Sequence, residues 1–146
     1  MSKNANCNCS FSLKGRVVFF ATGNINKFKE AKSILSKYGL AVGMLKLKGD
    51  EIQSDSLHKI AEHSAMHAFQ ESGLPIFVED AGLFIEALSG FPGPYAAYVY
   101  KTIHNRGIVK LMEGIQDRHA AFRSVISYCD EENACTPQSF EGESRG

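Results

Sequence analysis

With 146 residues, 44% of them hydrophobic, the chain is long enough for one domain with a real core. Sixteen basic residues balance sixteen acidic ones, so a general nucleic-acid binder, which normally carries a basic excess, is disfavoured. Any anionic ligand has to be held by a local site. No apolar run approaches the ~20 residues of a membrane span. The polar opening "MSKNANCNCSFSLKGR" lacks the apolar stretch of a secretory signal. Cys7, Cys9, Cys129 and Cys135 fit no common zinc spacing and read as free thiols of a reducing cytosol, which makes the expected location cytoplasmic.

In chain order, residues 1–15 read as a flexible tail. Arg16–Ala21 is a short apolar, β-rich run of the kind found in a central strand. Asn26–Tyr38 predicts a helix, because Phe28, Ala31, Ile34, Leu35 and Tyr38 recur at three- and four-residue spacing and Gly39 follows as a stop. Leu40–Lys48 reads as a second strand. After the polar "GDEIQSDS", a second helix buries Leu57, Ile60, Ala61, Ala65, Ala68 and Phe69, with Asp55 or Ser56 as its cap and Gly73 at its end. Ile76–Glu79 is a short buried strand, followed by a loop and a Pro/Gly turn in "GFPGPY". Helical patterns return at Tyr95–His104 and Ile108–Glu113. Ala120–Cys129 is a strand, and Ser139–Glu143 begins to pair with it. Strands alternating with helices, then consecutive strands, predict an α/β fold with a mixed, twisted sheet and flanking helices.

Two stretches carry chemistry. In "VVFFATGNINKFKEA" a buried strand hands over to a helix through Thr22-Gly23-Asn24. The first N–H groups of a helix lack internal partners and its dipole is positive there, which suits phosphate. Gly23 lets the backbone approach an oxyanion, Thr22 and Asn24 add polar side chains, and Lys27 lies within the first turn. This is not a P-loop, whose longer glycine-rich loop is missing. The same residues also make an ordinary helix cap. In "FVEDAGLFIEAL" a strand finishes on Glu79 and Asp80, where open α/β sheets bind ligands. A carboxylate beside a phosphate needs a cation between them, and Mg²⁺ is the usual one. Glu51 could add a further oxygen. A helix cap plus a solvated acid is the alternative. His63 and His67, four apart on one helical face, read as solvated among Lys59, Glu62 and Gln70. Tyr95, Tyr98 and Tyr100 read as core or dimer surface, and "GFPGPY" as a rigid turn shaping a cleft.

Taken together, "ATGNINKFKEA", "VEDAGLFIEALSGFPGPYAAY" and "DRHAAFRSVISY" resemble the inosine triphosphate pyrophosphatase (Ham1-like) family, in order from Arg16 to Gly146. The resemblance implies a two-lobed α/β domain with a central cleft, working as a homodimer. It implies hydrolysis of non-standard purine nucleoside triphosphates, such as ITP, dITP and XTP, to the monophosphate and pyrophosphate. By this resemblance Thr22, Gly23, Asn24 and Lys27 hold the triphosphate, and Ala81 sits at a substrate-contacting position where bacterial members usually have serine. Glu51 and Asp80 bind Mg²⁺, and Asp80 is the base that activates water. The family pattern continues beyond what residues 16–146 match, through an aromatic segment, a lysine and a Ser-His-Arg triplet that read the purine. The resemblance therefore implies an N-terminal two-thirds of such a domain, incomplete at its C-terminus. It carries over the phosphate half of the site and not the base-reading half. A catalytically impaired nucleotide-binding or dimer-forming fragment is the second reading.

Overall fold

The structure is a computed structural model that describes residues 17–49, 52–133 and 136–146. The expected tail, Glu51, Cys7, Cys9 and Cys135 lie outside the described residues. Six strands and four helices follow one another as β1 (Val17–Ala21), α1 (Ile25–Ser36), β2 (Ala41–Leu45), α2 (Leu57–Ser72), β3 (Ile76–Ile85), β4 (Pro92–Gly93), α3 (Ala96–Thr102), α4 (His104–Leu111), β5 (Ala120–Cys129) and β6 (Gln138–Arg145). The strands form one mixed sheet in the order β2-β1-β3-β5-β6, with β4 paired to β3. β1 runs parallel to both β2 and β3. β3, β5 and β6 run antiparallel in sequence. Among the described residues no helix is long and apolar enough to cross a membrane.

From β1 the chain crosses to β2 on one side and later to β3 on the other. Right-handed crossovers then put α1 and α2 on opposite faces of the sheet. The core divides accordingly. Val18, Phe20, Val42, Phe77 and Tyr128 pack with Phe28, Ala31 and Leu35 of α1. Ile76, Val78, Val125 and Cys129 pack with Leu57, Ala61, Ala65 and Ala68 of α2, and Phe19 and Ala21 join them. Successive residues of β1 thus serve alternate cores, which is why the strand is apolar throughout. The rings of Phe20 and Phe77 stack with centroids 4.5 Å apart, tying β1 to β3 within the α1-side core. Cys129 is fully buried, and burial together with the nearby Asp130 pushes its thiol up to about 11, so it is a core residue.

The second helix begins at its Ser56 cap and ends at Gly73 in the left-handed conformation, as its sequence predicts. The strand expected over Ile76–Glu79 is much longer and runs unbroken through Glu79 and Asp80 to Ile85. The polar residues that read as its end are carried by a ten-pair ladder with β5, from Ile76↔Cys129 to Ile85↔Ala120. The first of the later helices is shorter than expected, because His104 takes a positive φ of 55° and a new helix starts there.

The edge of β3 that faces β1 positions the cleft. β1 pairs with β3 only at Phe19↔Ile76 and Phe20↔Phe77, whereas β4 pairs at Leu83↔Gly93 and Phe84↔Pro92. The stretch between these two pairings becomes a floor with β1 at one end and β4 at the other. At Gly82 the backbone of β4 comes so close that a methyl group would lie 2.6 Å from the carbonyl oxygen of Gly93 and 2.9 Å from its carbon. Gly82→Ala is therefore expected to displace β4 and to destabilise the fold by roughly 1–3 kcal/mol, the usual cost of overpacking against backbone that cannot yield. Denaturant unfolding of the two proteins measures this.

Candidate active site

The helix that follows β1 starts at Asn24, whose extended backbone (φ −96°, ψ 105°) suits a cap. Its Oδ1 accepts from the amides of Asn26 (3.0 Å) and Lys27 (3.2 Å), and Thr22 Oγ1 accepts from the amide of Asn24 (3.0 Å). Both readings of this stretch therefore meet here. Asn24 is a working cap, and two of the amides expected for an anion are already engaged. Gly23 is different: it is exposed, and a methyl group placed on it would touch no protein atom within 4 Å. Its Cα side is open for a large anion to come close.

Glu79 and Asp80 are neighbours on one extended strand, so the pleat sends them to opposite faces. Glu79 follows the register of Phe77, toward α1, and there Lys27 Nζ forms an ion pair with its Oε2. Ser124 on β5 donates a hydrogen bond of 2.7 Å to its Oε1. Asp80 follows the register of Val78, on the α2 face, and its cross-strand partner is Val125 of that core. Both acids reach the cleft because β1 has stopped beside them.

That cleft has a volume of about 740 Å³. Thr22, Gly23, Glu79 and Asp80 line one part of it, whereas Leu47, Ile60, Pro94, Tyr95 and Tyr98 supply an apolar and aromatic part. The size is that of a site for a drug- or nucleotide-sized ligand. The structure thus brings Thr22, Gly23 and Asp80 together, with Lys27 joined to them through Glu79. Asn24 does not line the cleft and serves as a cap. Ala81 is half-buried in the register of Ser124 and does not line the cleft. Glu51 lies outside the described residues.

Several cleft residues were not expected from the sequence. Ser64 and His67 of α2 line it, although His67 reads as a solvated residue; its Nε2 is 3.9 Å from Glu71. With Ile60 they form an i, i+4, i+7 stripe beside the buried alanines, which was the available signal. Tyr95 and Tyr98, expected as core or dimer surface, are exposed and line the cleft. The turn "GFPGPY" does shape the cleft, through Pro94 and Tyr95.

A hard divalent cation needs oxygen donors, and Mg²⁺ typically takes one or two carboxylates plus phosphate oxygens. The donor set fits. Asp80 brings a carboxylate to the cleft next to Thr22 and Gly23, and both oxygens of Glu79 are committed to Lys27 and Ser124. Among the described residues, Glu86, Asp117 and His119 also gather possible ligand atoms within 4.8 Å of one another. That cluster is exposed, none of it lines the cleft, and Glu86 stands six residues beyond Asp80, about 20 Å along an extended chain. Hydrogen bonding to Asp117 raises the His119 pKa, so its proton competes with any metal there.

The Ham1 family pattern matches residues 18–146. A dITP/XTP pyrophosphatase of Methanopyrus kandleri is 54% identical over 129 residues, covering 88% of this chain and 68% of its own. One from Thermococcus kodakarensis is 48% identical over 113 residues, covering 77% and 61%. The chain thus spans 61% to 68% of the length of these two relatives. Among solved structures, a HAM1 protein of Coxiella burnetii superposes with a TM-score of 0.74 at 24% identity, over 89% of this chain and 71% of that one. The Staphylococcus aureus Ham1 protein gives 0.73 at 20%, over 89% and 70%. At these identities the structural likeness speaks to the fold.

Removing the cap tests the local account. Asn24→Ala is expected to lower stability by about 1 kcal/mol and to speed exchange of the Asn26 and Lys27 amides. Hydrogen exchange read by NMR resolves both amides.

Proposed function

The chain belongs to the Ham1 family, and we propose that it hydrolyses non-standard purine nucleoside triphosphates, of the dITP and XTP type, to the monophosphate and pyrophosphate. The observation that carries this reading is one cleft of about 740 Å³ that holds Asp80 beside Thr22 and Gly23, with Lys27 fixed at its edge through Glu79. The names of the relatives, dITP/XTP pyrophosphatase, supply the substrate class.

In this proposal the triphosphate lies along Thr22 and Gly23. The glycine gives it room, and Lys27 offsets part of its charge. The aromatic part of the cleft, Tyr95 and Tyr98, receives the nucleoside. Asp80 has two duties, which suit a carboxylate that faces the α2 side of the cleft while Glu79 faces Lys27. With Glu51 as the second carboxylate, it would hold Mg²⁺. It also orients a water for in-line attack on the α-phosphorus and takes its proton. The bond from the α-phosphorus to the bridging oxygen breaks, and pyrophosphate leaves with that oxygen. When bound, the cation neutralises phosphate charge and so lets two anions approach each other. A homodimer in the cytoplasm completes the proposal. The exposed Phe122 and Phe140 offer apolar surface for assembly.

Pyrophosphate release from dITP, measured with and without Mg²⁺, tests the reading, and no release in either condition would refute it. Asp80→Asn keeps the shape and loses the base. It is expected to cut turnover on the order of 10²-fold or more, with nucleotide binding better preserved; near-normal turnover would remove Asp80 from the mechanism. Lys27→Ala is expected to weaken binding of the triphosphate much more than that of the nucleoside, because its charge meets only the phosphates. Calorimetric titration with the two ligands gives the comparison, and equal losses would assign Lys27 a structural role instead.

A further inference from the structure

We propose that Ser124 is a positioning residue for the phosphate-binding lysine, acting through Glu79. The inference rests on the reading of Lys27 as the triphosphate anchor. Ser124 lies on β5, away from both phosphate-type motifs, and does not line the cleft. Its hydroxyl donates to Glu79 Oε1 at 2.7 Å, while Lys27 Nζ pairs with Glu79 Oε2.

The geometry follows from the ladder. Ala81 pairs with Ser124 and Glu79 with Ile126, so Ser124 is the diagonal neighbour of Glu79 on the same face of two antiparallel strands. Glu79 is only 15% exposed at its side chain, so its two oxygens depend on protein partners, and they draw one each from β5 and α1. The side chain of Lys27 is 41% exposed and is a single flexible stem of four carbons, and the ion pair fixes only its tip. Where that tip rests is decided by how the carboxylate is turned. A hydroxyl has one proton to donate, and giving it to Oε1 fixes the rotation of the carboxylate and leaves Oε2 aimed at α1. Ser124 thus sets Glu79, and Glu79 sets Lys27 before a nucleotide arrives. Immobilising a long side chain in advance lowers the ordering cost paid on binding. This differs from a packing role, which a side chain of similar size without the hydroxyl would fill equally well.

The test uses the whole chain with Ser124→Ala, Ser124→Thr and Glu79→Gln. In the ligand-free protein, NMR relaxation of the Lys27 side chain is expected to show a more mobile ammonium end in Ser124→Ala and Glu79→Gln, and wild-type order in Ser124→Thr. Toward dITP, Ser124→Ala is expected to raise KM about three- to tenfold and to move kcat less than about twofold. The threonine variant restores KM. In a Lys27→Ala background, adding Ser124→Ala should change KM no further. Unchanged Lys27 mobility in both Ser124→Ala and Glu79→Gln overturns the inference. So does a KM effect that persists undiminished without Lys27. A wild-type protein that releases no pyrophosphate refutes the proposed function instead, and the relaxation measurement then decides the positioning role alone.

Discussion

The site depends on a mismatch in strand length. β1 has five residues and β3 has ten, and the two are paired only at the start of β3. A parallel neighbour as long as β3 would have covered its edge and filled the space where the cleft now lies. The chain instead turns into α1 at Thr22-Gly23-Asn24, and β4 returns to the same edge six residues after Phe77. The ends of β1 and β4 are therefore the walls, and the middle of β3 is the floor. Each partner does part of this work: β5 keeps the exposed half of β3 extended, and the Gly82–Gly93 approach sets how near the second wall stands.

A second consequence comes from the pleat. Glu79 and Asp80 carry the same charge and adjoin each other, and side by side on one surface they would repel. On a strand they point apart. Glu79 meets a lysine and a hydroxyl on the α1 side, and Asp80 faces the α2 side with the cleft before it. Two similar acids acquire different surroundings from the backbone that carries them.

How much of this the sequence discloses varies with the range of the interaction. The second helix is legible to its ends, because Ser56 caps it locally and Gly73 stops it locally. β5 is legible for another reason, a stretch rich in strand-favouring residues bounded by the polar runs QDRH and DEEN. β3 is not: Glu79, Asp80 and Gly82 interrupt its apolar pattern, and only pairing with β5, far along the chain, keeps it extended. At the site, Thr22, Gly23 and Asp80 could be picked out because each sits at a local break in an apolar pattern. Ser124 and the ion pair of Lys27 with Glu79 could not, since both rest on contacts between distant elements, and for Ser64 and His67 the helical spacing with Ile60 was the local sign. Asn24 shows the limit from the other side, for its sequence signal serves a cap and an anion equally well, and the geometry shows the cap in use.

That cap bears on how the site would respond to its surroundings. With two amides of the first turn of α1 already held by Asn24, the helix end has less to offer an incoming anion than its position suggests. Under the proposed function more of the attraction falls on Lys27, a charge that stays partly in water. The chain as a whole carries no net charge to draw anions from a distance. Attraction that rests on one half-exposed ammonium is short in reach and is shielded by dissolved ions, with a screening length of about 8 Å at physiological ionic strength. Capture of a polyanion in this cleft should accordingly weaken as salt rises, through slower association as well as looser hold, and more steeply than in a site whose phosphates are cradled by buried backbone amides.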